Sequence, residues 1–459
     1  MDLPHSTQKL LPTTLFALFS CFASAGDVTL GINQVTENTG TELAEFFFIQ
    51  ISDTHVYDKK SDYQEFSSQE APWYIPDLVV DYLTVSLLKE RYGDDTIDKL
   101  RDVLRPIFND GDLDKMWDIS VYQAYSAEMS KEDSALGELD DNIQNALAEV
   151  VGFEPQFVIN TGDLILEGNN GSAEAVDRWF KYYVSITEPL LPAFYNTIGN
   201  NEIAGTQRAD FTSDDPKFGK YFFNNYFGPT HYSFNYGDFH FVALDTHSPE
   251  PKDDNPDYWN FGKMEPDVSA WTKADLEAHQ DQTLVVLNHE PFHFDPIWPF
   301  EDNGSTSDDE GLFDEFGVDY VLSGHTHYRS YMEINNIHHI TTGALSGMRW
   351  VLPASIHPRG YRFFYAKDRS LYSVWKPSGQ PILALAEPQP VNGRLKVITV
   401  ADATGAFDQV EIRYDGQPLQ IERWGDYFFQ IALPDDEPLV VQVIATRTDG
   451  SEITNDLQL

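Results

Sequence analysis

The sequence predicts an α/β fold followed by a small all-β module, and three observations predict it. Short apolar, strand-like runs alternate with helix-like stretches through most of the 459 residues. Several of those runs end directly in acidic, amide or histidine residues, the place where α/β folds build their sites. Beyond a proline-rich segment near residue 387 the pattern changes to strands alone. A hydrophobic fraction of 41% supplies a core. It excludes a disordered acidic polymer, although 74 carboxylates against 30 Lys and Arg give a net charge of −44. That charge repels nucleic-acid phosphates and anionic headgroups, so no nucleic-acid docking is expected.

From the N-terminus, Met1 to Ala25 carries one cation, Lys9, an apolar stretch Leu15–Phe22, and the small-x-small sequence Ala23-Ser24-Ala25. This predicts a cleavable signal peptide over 1–25 and a secreted or periplasmic protein. The alternative is a lipoprotein signal through Leu18-Phe19-Ser20-Cys21, with Cys21 as a lipid-bearing terminus, and the bulk of Phe19 counts against it. Cys21 is the only cysteine, which excludes an internal disulfide. No stretch reaches transmembrane length. Asp2 and Lys9 are the only charges in 1–25, so the acidity belongs to the exported chain.

The main domain is expected over 42–386. It opens on the strand Phe46–Ile51, apolar on both faces. Residues 58–136 then interrupt the first strand–helix step, with helix-like runs Asp77–Tyr92 and Thr96–Phe108 and, after Tyr57 at its border, the aromatics Tyr63, Phe66, Trp73 and Tyr74. The insertion reads equally as a substrate-selecting cap and as a packing elaboration. Leu139, Ile143, Leu147 and Val150 recur at helical spacing, and Pro155 and the strand Phe157–Ile159 follow. Further strands are expected at His240–Leu244, Leu284–Leu287 and Tyr320–Leu322. Glu387-Pro388-Gln389-Pro390 reads as a stiff linker. Residues 387–459 read as an immunoglobulin-like β-sandwich, with strands Leu395–Val400, Gln409–Tyr414, Tyr427–Ala432 and Leu439–Thr446 and turns at Asp415-Gly416 and Asp449-Gly450. Its expected ligand is a surface or polymer.

Five short motifs follow in order: Asp53-Thr54-His55, Gly162-Asp163, Gly199-Asn200-Asn201-Glu202, Asn288-His289-Glu290-Pro291 and Gly324-His325-Thr326-His327. Oxygen donors mixed with imidazole suit borderline divalent metals, and a carboxylate able to bridge suggests two ions. Any one motif is common by chance, whereas five in order, most of them directly after an apolar strand, are not.

These motifs resemble those of the calcineurin-like metallophosphoesterases, over roughly residues 44–375 with the insertion outside. The resemblance implies a four-layer α/β sandwich, two mixed β-sheets flanked by helices. It implies that Asp53, His55 and His327 hold one ion, that Asn200, His289 and His325 hold the other, and that Asp163 bridges. Two divalent ions (Mn, Fe or Zn) would lower the pKa of a bridging water, whose hydroxide attacks phosphorus. The expected enzyme is thus an exported, metal-dependent phosphoric ester hydrolase acting on a small phosphodiester or phosphomonoester. Asp163, His55 and Asn201 are the catalytic candidates.

Two departures matter. Asn201 stands where the family usually has the His credited with protonating the leaving group, and an amide cannot deliver a proton. Some relatives carry another residue there and remain phosphodiesterases, so the expectation is a slower enzyme. His247, His293 and His231 are candidate substitute acids, with His247, His293 and Arg349 assigned to the substrate pocket. The alternatives are a weakened metal-binding member acting as a surface binding protein, and a nucleotide or cyclic-nucleotide phosphohydrolase whose insertion stacks bases. Second, Leu166 occupies the position of the purple acid phosphatases' Tyr and His55 is present, so a coloured iron site is not expected.

Weaker signals are read as structural. Asp110-x-Asp112-x-Asp114 lacks the Gly and Glu of a calcium loop, having Lys115 and Val121 there. Asp308-Asp309-Glu310 and Asp435-Asp436-Glu437 read as surface. His338-His339 lies in a strand, and Thr342–Gly347, ahead of Arg349 and Trp350, reads as a turn. The acidity itself is read as salt adaptation of an exported enzyme.

Overall fold

The computed structural model describes residues 45–56, 132–190, 193–208, 210–249, 258–293, 307–346, 359–434 and 440–459. The expected signal peptide with Cys21, the insertion up to residue 131, the Asp110-x-Asp112-x-Asp114 motif, Asp435–Glu437 and Arg349 with Trp350 lie outside them.

In chain order the first half holds β1 (Glu45–Ile51), α1 (Glu132–Gly152), β2 (Phe157–Asn160), α2 (Ala173–Thr187), β3 (Ala193–Asn196) and α3 (Tyr221–Phe227). The strands β4 (Tyr232–Tyr236), β5 (Phe239–Ala243), β6 (His247–Pro249) and β7 (Trp259–Phe261) follow, then α4 (Pro266–Ala278) and β8 (Thr283–Leu287). The domain continues with α5 (Ser307–Phe316), β9 (Tyr320–Ser323), β10 (Ser330–Ile334), β11 (Ile337–Thr341), β12 (Gly360–Lys367) and β13 (Ser370–Pro377).

Both main sheets are mixed. The first runs β13-β12-β1-β2-β3, with β1, β2 and β3 parallel and β12 antiparallel to β1. The second runs β10-β11-β9-β8-β5-β4, parallel through β11, β9, β8 and β5. Alternation along β1 shows why the sheets pack face to face: Phe46 and Phe48 join a core with Phe157, Phe241, Leu287, Leu322 and Phe364 between the sheets. Phe47, Ile49 and Ile51 point the other way, into a core with Ile143, Leu147, Trp179 and Phe180 of α1 and α2. The outer face of the second sheet buries Val242, Val286 and Val321 against Val268 and Leu276 of α4 and Phe313 of α5. The result is four layers, helices–sheet–sheet–helices, as the resemblance implies.

The C-terminal strands are β14 (Ile382–Leu385), β15 (Leu395–Ala401), β16 (Gln409–Tyr414), β17 (Gln417–Pro418), β18 (Ile421–Trp424), β19 (Phe428–Ala432), β20 (Val440–Thr446) and β21 (Glu452–Gln458). They form two four-stranded antiparallel sheets, β14-β15-β19-β18 and β17-β16-β20-β21, around a core of their own that includes Ile398, Val400, Phe429 and Val443. The expected linker at 387–390 is corrected here. The β14 strand before it already pairs with β15, Ser373 and Glu387 exchange backbone hydrogen bonds at 2.8 and 2.7 Å, and Ala386 N donates to Val397 O. The module also packs on the first sheet: Tyr427 stands 5.2 Å from Phe47 and 5.3 Å from Phe153, and its hydroxyl donates to Phe153 O.

Candidate metal centre

Five strands deliver the motif residues from their C-terminal ends. Asp53 and His55 follow β1, Asp163 follows β2, Asn200 and Asn201 follow β3, His289 follows β8, and His325 and His327 follow β9. The loops after β1 and β2 run side by side, since Asp53 N donates to Gly162 O and His55 N to Asp163 O, both at 3.0 Å. Gln50 ties the two sheets beneath them, donating to Ser323 O and Thr161 Oγ1 and accepting from Thr342 Oγ1. Ser346 Oγ holds Asp53 O and Leu345 N holds Ser52 O.

The side chains converge in two groups that share Asp163: Asp53, His55, Asp163 and His327, and Asp163, His289 and His325. His327 Nε2 lies 3.1 Å from Asp53 Oδ1 and 3.0 Å from His55 Nε2. His289 Nε2 lies 3.2 Å from Asp163 Oδ2 and 3.3 Å from His325 Nδ1. All but His325 are buried. Asn200 Oδ1 is buried without a hydrogen-bond donor, and Asp53 Oδ1 has imidazole nitrogens beside it but no well-aligned donor, an arrangement that a bound ion would satisfy. This donor set, carboxylate, imidazole and amide oxygen, fits divalent cations of the Mn, Fe, Zn type.

Electrostatics point the same way. Burial raises the Asp53 and Asp163 carboxyls, but the facing histidines, His327 and His289 foremost, leave both below the usual range. Burial lowers His289, but Asp163 lifts it well above an ordinary imidazole. Burial and the His289 charge push His325 down to about 4. Protons on some of these imidazoles occupy the role that cations would take over.

Asn201 closes the site from the side of β3. Its N–H donates to Asp163 Oδ1 at 2.9 Å, and its Nδ2 lies 3.2 Å from both Asp163 Oδ2 and His55 Nδ1. Glu202 is fully buried and accepts from the backbone N–H of Asp163, Leu164, Ile165 and Gly199 at 2.7–3.1 Å. That carboxylate holds the Asp163 loop in shape. Sequence reasoning gave Glu202 no role; the available signal was an acid in the first turn after Gly199, where free N–H groups attract a carboxylate.

The three candidate histidines outside the motifs pack among other side chains. His247 is corrected: it is fully buried in an ion cluster, with Nε2 2.8 Å from Glu290 Oε1 and Nδ1 3.4 Å from Asp245 Oδ1, while Lys220 Nζ meets Asp245 and Glu265 at 2.7 and 2.8 Å. His293 packs edge-on against His339 at 4.6 Å, and His231 against Trp271 at 4.8 Å. His240, Asp275 and His279 also cluster, but they do not fit a shared ion. Both nitrogens of His240 are hydrogen-bonded at 2.7 Å, to Asn235 and Asp275, and the two rings stack at 3.7 Å and 12°, so their in-plane lone pairs do not converge.

A four-layer sandwich with buried Asp and His residues at the strand ends defines a metal-dependent phosphoester hydrolase. The chain belongs to the calcineurin-like phosphoesterase family, whose profile matches residues 48–329. Among solved structures it is similar to GAP50, the anchor in the inner membrane complex of Plasmodium, at 11% identity and a TM-score of 0.34, covering 72% of this chain and 84% of that one. It is also similar to the phosphopantetheinyl hydrolase PptH of Mycobacterium tuberculosis, at 14% identity, a TM-score of 0.28, and coverage of 41% and 79%. Vps29 of Entamoeba histolytica complexed with zinc matches at 11% identity, a TM-score of 0.20, and coverage of 54% and 83%. No curated protein matches in sequence.

Proposed function

We propose that the chain hydrolyses a small phosphodiester or phosphomonoester at a centre of two divalent ions, and that it does so outside the cytoplasm. One observation carries the two-ion reading: the two ligand groups share a single carboxylate, Asp163. Asp53, His55, His327 and Asp163 would hold one ion, and Asp163, Asn200, His289 and His325 the other. When bound, such ions supply positive charge for the phosphate oxygens and lower the pKa of a coordinated water. The chain's own contribution is placement. Glu202 fixes the Asp163 loop, and the Asn201 amide sits within hydrogen-bond reach of the shared carboxylate, where it can donate to a phosphate oxygen but cannot give up a proton. That amide also supports the reading of a slow enzyme that prefers good leaving groups. The signal-like residues 1–25 support export.

Hydrolysis of nitrophenyl phosphate and bis-nitrophenyl phosphate tests the reading. With added Mn²⁺ at least one is turned over, chelation abolishes the activity, and Asp163→Asn lowers kcat/KM by more than about 100-fold, beyond what losing a merely supporting partner of a ligand costs. Absence of both activities with metal supplied would favour a binding protein.

A further inference from the structure

The amide at Asn201 raises the question of which group protonates the leaving oxygen, and the turn packed against Asn201 carries an answer. This turn, residues 167–170, follows the Asp163 loop. Gly168 N donates to Asn201 O at 2.8 Å, and Asn169 Nδ2 donates to Asn201 Oδ1 at 3.3 Å. The approach is so close that a Cβ on Gly168 would collide with Asn201 O. From the other side Gly205 N and Gln207 N donate to Gly168 O and Asn169 O, both at 3.0 Å, and Arg208 Nη1 donates to Asn170 O. Leu166 N donates to Val56 O, which fixes the turn relative to His55. The turn is therefore rigid, and its first residue is a half-buried glutamate, Glu167.

We propose that Glu167 is the general acid of this enzyme, giving its proton to the leaving oxygen. As the oxygen of the attacking water bonds to phosphorus, the P–O bond to the leaving group breaks and its electron pair stays on the departing oxygen. That oxygen takes the carboxyl proton of Glu167. The resulting carboxylate is reprotonated by the proton the water released, so ester plus water gives phosphate plus alcohol. The carboxyl is tied into the same cluster, hydrogen-bonded to the side chain of Asn169, which also donates to Asn201 Oδ1, and the environment suits the role: burial foremost, with the Asp163 charge, pushes it up to about 7. A carboxyl there is protonated in a useful fraction near neutral pH, where general acids work best. His247, buried between two carboxylates, is not available to substrate.

The proposal rests on the phosphoesterase reading, and its test separates the two. Wild type and Glu167→Gln are compared, with Mn²⁺ added, on nitrophenyl methyl phosphate and on phenyl methyl phosphate, whose leaving group is much more basic. The glutamine keeps the side chain's shape and hydrogen-bonding capacity. The expected loss for the phenyl ester is about 100-fold or more, the usual range for general acid catalysis, and at least tenfold larger than the loss for the nitrophenyl ester, with about 10 taken as the smallest telling ratio. Adding Asn201→His to Glu167→Gln restores part of the phenyl-ester rate. Independently of turnover, the infrared carbonyl absorption of protonated carboxyls near pH 7 in metal-loaded wild type loses one component in Glu167→Gln, while the buried Glu202 carboxyl, also pushed up to about 7, keeps its own. Equal losses on both esters, or no loss, or an unchanged carbonyl absorption, would overturn the role of Glu167 while leaving the phosphoesterase reading intact. A wild type inert on both esters would overturn that reading and the acid with it.

Discussion

Asp53, His55, Asp163, His325 and His327 all adopt left-handed backbone conformations, with φ between 45° and 67°. Each costs about 1 kcal/mol or more in a residue with a Cβ, and Asp and His are among the few side chains that tolerate it. The loops that hold these residues are therefore dictated by their hydrogen bonds rather than by local preference. Gly324 shows how little room is left: a Cβ there would land on Ser52 Oγ and 2.7 Å from Asp53 Oδ2, a carboxylate oxygen that also accepts from His325 N at 3.1 Å. Gly324→Ala should displace Asp53 and weaken Mn²⁺ affinity by about 10- to 100-fold, as loss of a ligand's supporting partner does. Calorimetric titration measures this, and unchanged affinity in a folded variant would contradict it. At this scale the convergence of Asp53, His55, Asp163, His289, His325 and His327 was legible, because each stands in a short motif at the end of an apolar strand. Glu202 and Glu290 were not, because their partners are backbone N–H groups and a histidine brought close only by the fold.

Between elements, charges buried together hold the second sheet to its neighbours. Asp245 follows β5, Glu290 follows β8, Lys220 precedes α3, and Thr246 Oγ1 donates to Glu290 Oε2 at 2.6 Å. Burial lowers His247, but Glu290 and Asp245 outweigh it and raise its pKa from 6.5 to about 9. A raised pKa means that the folded state favours the proton. The stability it contributes is fully present below pH 6.5 and is lost as pH rises through about 9. Thermal unfolding of the wild type should thus fall between those values, and His247→Gln should flatten that decline. An equally steep decline in the variant would assign it to another group. Burial raises Asp245, yet His247 and Lys220 bring it down to about 2, so its contribution is lost only as pH falls toward that value. The strands read from apolar runs lie where expected, with boundaries shifted by about a residue, but β3, β4, β10, β12 and β13 of the main sheets were not foreseen. The linker at 387–390 was misread because two prolines look like a spacer in sequence. In the fold, β14 ahead of them already belongs to the C-terminal sheet, and Glu387 is bonded to Ser373.

For the molecule as a whole, the C-terminal module is built into the hydrolase domain. Trp424, Tyr427 and Phe428 share one core with Phe47, Phe153 and Phe363, a contact no periodicity in the sequence reveals. Among the described residues no helix is long and apolar enough to cross a membrane. The net charge of −44 must be reconciled with an anionic substrate. Two cations would reverse the field locally, and salt shortens the repulsion elsewhere, from about 10 Å at 0.1 M to about 3 Å at 1 M. We therefore expect activity and thermal stability to hold or rise from about 0.1 M to about 1 M KCl; a steady fall in both would contradict salt adaptation. The central claim is a pair of ions sharing Asp163. Anomalous diffraction from crystals grown with Mn²⁺ tests it most directly. Two peaks are expected, one among Asp53, His55, Asp163 and His327, the other among Asp163, Asn200, His289 and His325. A single peak, or peaks that leave Asp163 without an ion on both sides, would contradict it.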